Sequence, residues 1–241
     1  MDHQLKNLLI LDIETVSLKS GFSQLSDHLQ KHWERKAGFI RNEGELPVEE
    51  LFFERAGIYA EFGKVIVISV GFYHELESGD IELRVKSYAD NDEKKLLTTF
   101  KSFLNSKFDQ QVLRLCAHNG KEFDFPYLSR RMLINGIKLP EALDLSGKKP
   151  WEINHLDTLE MWKFGDRKSF TSLDLLTTIF DIPSSKTDID GSKVNQIYYQ
   201  EKNGLDRIKE YCSGDVIATA QLYLRLNSLP AIKQEHITIV S

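Results

Sequence analysis

Cysteine is scarce in this sequence, which has only Cys116 and Cys212 among its 241 residues. Each lies among apolar or small residues, and neither has a second cysteine at metal-ligand spacing. This pattern excludes a disulfide scaffold and argues against a thiolate zinc site. It predicts two buried free thiols in a reducing cytoplasm.

Long hydrophobic runs are also missing near the N-terminus, where the first apolar run, residues 8–11, stops at Asp12. Such a run is too short for a signal sequence or a membrane span. We therefore expect a soluble, cytoplasmic protein that has no membrane partner. No internal repeat or low-complexity segment divides the chain, and its length suits one domain over residues 1–241.

An excess of positive charge is absent, because the net charge is −5. A protein that wraps a long duplex needs many lysines and arginines, whereas an enzyme that holds a few terminal nucleotides can rely on bound divalent cations. A glycine-rich phosphate loop is absent too, since the turn after the first strand begins with Glu14, Thr15 and Val16. This argues against a nucleotide-binding doubly wound domain.

The apolar patterning predicts an α/β protein with a mixed sheet. The predicted strands cover residues 7–14, 64–73, 81–88, 112–117 and, as a short further strand, 153–158. We expect the second and third strands to pair antiparallel around a turn. The predicted helices are a helical insertion at residues 22–62, a helix capped by Asn91, one that begins near Asp124, and several more towards the C-terminus.

Asp12 and Glu14 are two apart on the first predicted strand, so both side chains project to one face while Ile13 points to the other. Two adjacent carboxylates repel one another, and each has its pKa raised unless a cation lies between them. A hard divalent cation with oxygen ligands meets that need. The alternative is a strand end that simply reaches solvent, and the pair alone leaves both interpretations open.

Asp124 follows a loop and precedes a predicted helix, where an aspartate often caps the first turn. The same run contains Asn119, which can bind a sugar or phosphate, and Phe123 and Phe125, which can stack on bases. Asp124 is therefore a helix cap or a second metal-binding acid. The helix that follows is expected to bury Leu128, Met132 and Leu133.

Tyr211 and Asp215 are four apart on a predicted helix, so they share one of its faces. An acid beside a buried apolar stripe is costly unless it is paired or binds a metal, and Gly214 lets another group approach the helix closely. The alternative is that Tyr211 packs in the core and Asp215 pairs with a lysine or arginine.

The three motifs together resemble those of the DEDD exonuclease superfamily. They are Asp12-Ile13-Glu14, the run from Asn119 to Asp124, and Tyr211-x-x-x-Asp215. Tyrosine four residues before the last aspartate is typical of the DEDDy subclass; the histidine-bearing subclass has His where this chain has Glu210. The chain is similar to stand-alone relatives of the proofreading exonuclease domain of family B DNA polymerases, which have a ribonuclease H-like fold. Residues 155–157, 172–175 and 188–194 extend the similarity, and residues 22–62 fit it least.

This resemblance implies a metal-dependent 3'-5' exonuclease that acts on single-stranded ends, with DNA favoured, and releases nucleoside 5'-monophosphates. It implies that Asp12, Glu14 and Asp215 hold one Mg²⁺ or Mn²⁺ and that Asp12 and Asp124 hold a second. Tyr211 would orient the attacking water. The candidate substrate-binding residues are Thr15, Asn119, Phe123 and Phe125. A proofreading or repair role would need a separate polymerase or repair partner.

Other interpretations stay open at this point. The same acids would serve an RNA 3'-end trimming nuclease, and a degenerate chain would bind single-stranded ends without cleaving them. The helical insertion is a packing appendage, a wall of the substrate entrance or a partner surface. We expect His118 and His155 to be structural.

Asp157 is interpreted as a fifth acid near the site or a helix cap. A scattered basic set, either solvated or in contact with phosphates, consists of Lys148, Lys149, Arg167 and Lys168.

Overall fold

The computed structural model describes residues 5–166, 170–183 and 189–240. Within them, one mixed sheet contains β1 (Leu8–Ser17), β2 (Gly63–Glu75), β3 (Ile81–Ala89), β4 (Arg114–Ala117), β5 (Leu156–Asp157) and β6 (Ile237–Val240). The strand order is β5-β4-β1-β2-β3-β6. β1 pairs antiparallel with β2 and parallel with β4, which makes it a central strand.

Helices cover both faces of the sheet. They are α1 (Asp27–Ala37), α2 (Val48–Arg55), α3 (Glu93–Lys107), α4 (Asp124–Ile134), α5 (Thr158–Lys163), α6 (Leu173–Ile179), α7 (Val194–Gln200) and α8 (Gly204–Leu226). Among the described residues, no helix combines the length and the apolar character that a bilayer span requires.

Side chains alternate along β1 and thereby build two separate cores. Leu9, Leu11 and Ile13 pack against α3 and α4 on one face of the sheet. Leu8 and Ile10 pack against α8 on the other face. Because residues two apart on a strand share a face, the residues at 12 and 14 also point towards α8.

The predicted α/β class with a mixed sheet is confirmed, and so is the antiparallel pair β2–β3. The first strand runs three residues past Glu14 to Ser17, so the two acids lie inside the strand and not at its end. α3 is capped by Asp92, whose carboxylate accepts the Lys95 N–H at 3.1 Å, and not by Asn91. Strand β6 was not predicted, because it is only four residues long and lies at the edge of the sheet.

α4 buries Leu128 and Met132 as predicted, but the prediction for Leu133 is wrong, since 61% of that residue is exposed. Arg131 is buried on this helix instead. Its guanidinium binds the buried Glu93 carboxylate of α3 at 2.5 and 2.8 Å and donates to the Ala60 carbonyl at 2.8 Å. A buried charge is tolerated only when it is paired, and this ion pair meets that condition.

The insertion after β1 is helical, as predicted, and has a small aromatic core of its own. The fully buried Trp33 of α1 packs edge-on against Phe52 of α2 and against Phe62, and its ring N–H donates to the Val48 carbonyl at 3.1 Å. Ser26 caps α1 by accepting the Leu29 N–H. Local packing therefore determines the fold of this segment.

Candidate active site

Asp12 and Glu14 project from the centre of the sheet towards α8. Glu14 is buried and Asp12 is partly exposed. The pairing register with β2 shifts between Glu14 and Thr15, so that Glu14 faces Val67 and Thr15 faces Val65. A bulge of this kind bends the strand and re-aims the side chains beside it. The strand thus turns immediately after its second acid.

Asp124 is the first residue of α4 and reaches β1 from the face of the sheet opposite α8. One of its carboxylate oxygens accepts the Ile13 N–H at 3.1 Å, which places this acid between Asp12 and Glu14 along the strand. The side chain is buried and does not cap its helix; Phe123 occupies the cap position and makes no side-chain cap bond. The capping interpretation of Asp124 is therefore wrong.

Tyr211 and Asp215 lie on α8, which crosses the face of β1 that carries the first two acids. The Tyr211 hydroxyl donates a hydrogen bond to the Asp215 carboxylate. Within the described part of the chain, no lysine or arginine forms an ion pair with Asp215. The alternative in which Asp215 pairs with a lysine or arginine is therefore not observed among the described residues.

The four acids lie close enough to perturb one another electrostatically. Burial, followed by the charges of Glu14, Asp124 and Asp215, raises the pKa of Asp12. Burial and the charges of Asp215 and Asp124 likewise raise the pKa of Glu14. Burial raises the pKa of Asp124 to about 7 and that of Asp215 to about 6. The cluster therefore resists full ionisation until a cation neutralises it.

Cys212 contacts this cluster, which the sequence did not indicate. Both cysteines are buried free thiols, as predicted. The Cys212 Sγ lies 3.1 Å from Asp12 Oδ2 and donates to it, while the Ser69 hydroxyl bonds to the same sulfur. The only available signal was its position one residue after Tyr211 on a helix that faces the acids. The thiol holds the Asp12 carboxylate in one orientation.

The donor groups fit a hard divalent cation. Ligand atoms of Asp12, Glu14 and Cys212 all lie within 4.8 Å of one another. Asp124 and Asp215 add further carboxylate oxygens, and oxygen-rich ligation is what Mg²⁺ and Mn²⁺ prefer. Because these acids form no ion pair with a described lysine or arginine, their charges are neutralised either by protons or by a bound cation.

The predicted substrate-binding residues have different surroundings. Thr15 and Phe123 line a cavity beside Glu14. Asn119 has a left-handed backbone with φ of 65° and is partly exposed in the loop before α4. The prediction that Phe125 binds substrate is wrong, because this residue is 0% exposed and packs edge-on against His155 with ring centroids 5.3 Å apart. A wholly buried ring cannot stack on a base.

The residues left out of the acid set are structural. The two ring nitrogens of His118 bond to Thr158 and to the Thr171 carbonyl, each at 2.9 Å. His155 accepts the Leu115 N–H and bonds to the Ala142 carbonyl.

Asp157 caps α5 and also accepts the N–H groups of Asn119 and Lys121 at 2.9 and 3.1 Å, so it organises the loop that leads to Asp124.

The predicted basic set is only partly described. Lys148 and Lys149 are exposed, and the Lys149 ammonium lies 5.3 Å from the centre of the exposed Trp151 ring. Arg167 and Lys168 lie outside the described residues, and so does Asp188 of the segment that extends the resemblance. Contact between this set and phosphates stays a prediction.

A mixed sheet with helices on both faces and an acid cluster on a central strand defines the ribonuclease H-like fold of polymerase exonuclease domains. The structure resembles that of the family B DNA polymerase from the hyperthermophilic archaeon Pyrobaculum calidifontis, with a TM-score of 0.56 and 17% identity. The likeness covers 91% of this chain and 24% of the polymerase. Residues 58–236 match the family described as "Predicted 3'-5' exonuclease related to the exonuclease domain of PolB". The chain belongs to this family.

The predicted relation to the exonuclease domain of family B DNA polymerases is therefore confirmed. The matched residues include Asp124, Tyr211 and Asp215, whereas Asp12 and Glu14 precede them. An exonuclease family of this kind implies dependence on a divalent metal.

Proposed function

We propose that this chain is a 3'-5' exonuclease that hydrolyses the terminal phosphodiester of single-stranded DNA with two divalent cations and releases nucleoside 5'-monophosphates. The observation that carries the proposal is the convergence of four carboxylates and one tyrosine around residues 12–14 of β1. They are Asp12, Glu14, Asp124, Tyr211 and Asp215.

In this proposal, Asp12, Glu14 and Asp215 hold one cation, and Asp12 with Asp124 holds the other. Mg²⁺ or Mn²⁺ held by these residues would supply positive charge that favours deprotonation of water and stabilises an oxyanion leaving group. The chain itself supplies rigid ligands. Ile13 N–H and Cys212 Sγ–H orient the Asp124 and Asp12 carboxylates, so little reorganisation is needed when the substrate arrives.

Tyr211 acts in this scheme as a hydrogen-bonding group. Burial and the charges of Asp215 and Glu14 hold the pKa of its hydroxyl well above the usual range. The hydroxyl is therefore protonated at neutral pH and cannot serve as a base. It orients the attacking water while its own position is maintained by the bond to Asp215.

DNA is proposed as the substrate because of the family to which the chain belongs. RNA 3'-end trimming is the second candidate, because a protein distinguishes the two polymers through contacts to the 2'-hydroxyl, and the acid cluster makes no such distinction. A separate polymerase or repair partner would connect the activity to proofreading or repair.

The test uses 5'-labelled single-stranded DNA and RNA of the same base sequence, with Mg²⁺, Mn²⁺ or EDTA. We expect a ladder that shortens from the 3' end, and a loss of roughly a thousandfold or more in Asp12→Asn. The matched control is Asp80→Asn in the exposed β2–β3 turn, which should cleave normally. Cleavage of RNA alone would overturn the choice of DNA. Binding without cleavage under any metal would exclude an exonuclease.

A further inference from the structure

A cavity of about 380 Å³ opens beside Glu14 and is lined by four parts of the chain. Its lining residues come from β1, from the loop before α4, from the segment leading into α7, and from the end of the insertion. They are Ile13, Glu14, Thr15, Glu54, Arg55, Gly57, Ile58, Phe123, Gly191, Ser192 and Asn195. The insertion therefore lines a space that is continuous with the acid cluster.

The end of the insertion is fastened to the elements that carry the acids. The Gly57 carbonyl accepts hydrogen bonds from the Thr15 and Tyr127 hydroxyls, both at 2.8 Å. Thr15 follows Glu14 on β1, and Tyr127 lies on α4, the helix that Asp124 begins. A side chain at Gly57 would come within 3.2 Å of the Val16 backbone. This wall is thus held in fixed register with the acids.

A second attachment joins the insertion to α7. The Asn195 amide donates to the Phe53 carbonyl at 2.7 Å, and its oxygen accepts from the Ser17 N–H and hydroxyl. One buried side chain therefore connects α2 to the end of β1. The insertion is thus hydrogen-bonded to β1, α4 and α7, three elements that surround the cavity.

The exposed rim of this cavity offers groups suited to a nucleic acid strand. Arg55, the last residue of α2, is exposed, and none of the described acids forms an ion pair with its guanidinium. Ile58 is 47% exposed although it is a large apolar residue. Phe123 also lines the cavity. A guanidinium binds phosphate, and apolar or aromatic surfaces pack against the faces of bases.

We propose that the end of the insertion, residues 55–58, forms one wall of the site for the 3'-terminal nucleotide. Arg55 binds a backbone phosphate, and Ile58 packs on the terminal base together with Phe123. The cavity volume of about 380 Å³ lies near the lower limit of ligand pockets, roughly 300–1,000 Å³, and suits a single nucleotide. The proposed occupant is therefore the unpaired nucleotide at a 3' end. This inference rests on the proposed function.

The test measures binding of a 5'-fluorescent oligo-dT by anisotropy in Ca²⁺, which takes oxygen ligands as Mg²⁺ does. Arg55→Ala should weaken binding roughly tenfold and reduce the slope of log K against log salt by about 0.7, the effect of one lost phosphate contact on a single strand. Ile58→Ala should weaken binding roughly fivefold, because apolar contact with the base is lost, and leave the slope unchanged. The control is Lys31→Ala, which removes an exposed cation on α1 away from the cavity lining.

Cleavage assays on the same variants separate this inference from the proposed function. We expect Arg55→Ala to raise KM and leave kcat within about twofold, since the residue contacts the strand and not the reacting atoms. If the wild-type chain cleaves the strand and Arg55→Ala binds it with unchanged affinity and salt slope, the inference is overturned and the proposed function stands. A wild-type chain that binds oligo-dT through Arg55 but never cleaves it would overturn only the proposed function. Equal binding of an oligonucleotide with an unpaired end and of a blunt duplex would refute the assigned substrate class.

Discussion

The Tyr211 hydroxyl donates a hydrogen bond to the Asp215 carboxylate, and its pKa is raised above the physiological range. Replacing it with phenylalanine removes the hydroxyl and keeps the ring. We expect Tyr211→Phe to lower kcat roughly 10–100-fold with little change in KM, because water orientation is lost and strand binding is not. The measurement is steady-state cleavage from pH 6 to 9.

The matched control is Tyr198→Phe. Tyr198 lies on α7, and its hydroxyl bonds to the side chains of Lys64 and Asn91. This substitution should leave kcat unchanged. If Tyr211→Phe cleaved as fast as the unmutated chain, the assigned role of the tyrosine would be wrong.

The contact between Cys212 and Asp12 leads to a second expectation at this scale. Cys212→Ala removes the donor to Asp12 Oδ2, whereas Cys212→Ser keeps a donor of smaller radius. Donors that orient a metal-binding carboxylate commonly alter metal affinity by about 10–100-fold. We expect the Mn²⁺ concentration that gives half-maximal cleavage to rise roughly tenfold in Cys212→Ala and less in Cys212→Ser.

The other buried thiol provides the comparison for this titration. Cys116→Ala deletes a sulfur of equal burial on β4, so it should lower stability without changing the metal requirement. Equal metal curves for Cys212→Ala and Cys116→Ala would mean that Cys212 only fills space.

Some of these residues could be recognised from the sequence and others could not. The two-residue repeat of a strand suffices to put Asp12 and Glu14 on one face, and the four-residue spacing on a helix does the same for Tyr211 and Asp215. The bond from Ile13 to Asp124 joins residues 111 positions apart, and no local pattern encodes it. The burial of Phe125 and the contact of Cys212 with Asp12 also depend on packing between distant elements. The catalytic roles themselves stay predictions.

Among the elements, the start of α5 and the loop before α4 are joined by a single side chain. Asp157 accepts the Leu159 N–H in α5 and the N–H groups of Asn119 and Lys121 in the loop before α4. Removing a buried acceptor leaves several donors without a partner, at a cost of about 1–3 kcal/mol each before relaxation. We expect Asp157→Ala to lower the free energy of unfolding by roughly 3 kcal/mol.

A simpler helix cap elsewhere in the chain serves as the reference for this loss in the free energy of unfolding. The Ser172 hydroxyl accepts the Leu175 N–H at the start of α6, so Ser172→Ala should cost about 1 kcal/mol. Urea unfolding followed by circular dichroism measures both variants. Equal losses would mean that Asp157 acts as an ordinary cap and does not organise the neighbouring loop.

The helices and strands with strong periodicity were predictable within a few residues, as the antiparallel pair β2–β3 and the helix after Asp124 illustrate. Ends were less accurate, because the cap of α3 is decided by which of two adjacent polar residues, Asn91 or Asp92, meets the Lys95 N–H. Strand β6 forms only because β3 offers it an edge. Such a partner cannot be recognised from four residues alone.

At the scale of the whole molecule, the acid cluster links stability to pH. The pKa values of Asp124 and Asp215, about 7 and about 6 in the folded chain, exceed the ordinary value of 3.8. The metal-free folded state therefore binds more protons than the unfolded state. The resulting stabilisation is complete below about pH 4 and is lost as the pH rises through about 6 to 7. Asp12 and Glu14 act in the same direction.

We expect the Tm in EDTA to fall between about pH 5.5 and 7.5, and saturating Mg²⁺ to abolish most of that fall by binding the ionised acids. Thermal melts followed by circular dichroism test this. Asp12→Asn removes one of the repelling charges and should raise the Tm in EDTA at pH 7.5 while reducing the response to Mg²⁺. A metal-free Tm that increases over this range would contradict the assigned pKa shifts.

The order of the strands could not be read from the patterning, which indicated a mixed sheet and no neighbours beyond β2 and β3. The resemblance in three short motifs identified the fold, because motifs that share one site must meet in space. The helical nature of residues 22–62 was evident from their spacing. Their position beside Glu14 was not, since it depends on bonds from Thr15, Tyr127 and Asn195 to backbone carbonyls. The single domain over residues 1–241 stays a prediction.

The complete burial of both thiols has a practical consequence for spectroscopy. Cys116 and Cys212 are 0% exposed, and burial raises the pKa of each, whereas maleimide dyes require an accessible thiolate. The native chain should resist labelling until it unfolds. A cysteine introduced at the exposed Phe39 of the insertion would then be the single attachment point for a fluorophore. Energy transfer from that dye to a labelled oligonucleotide would time the arrival and departure of the strand with the native thiols left in place.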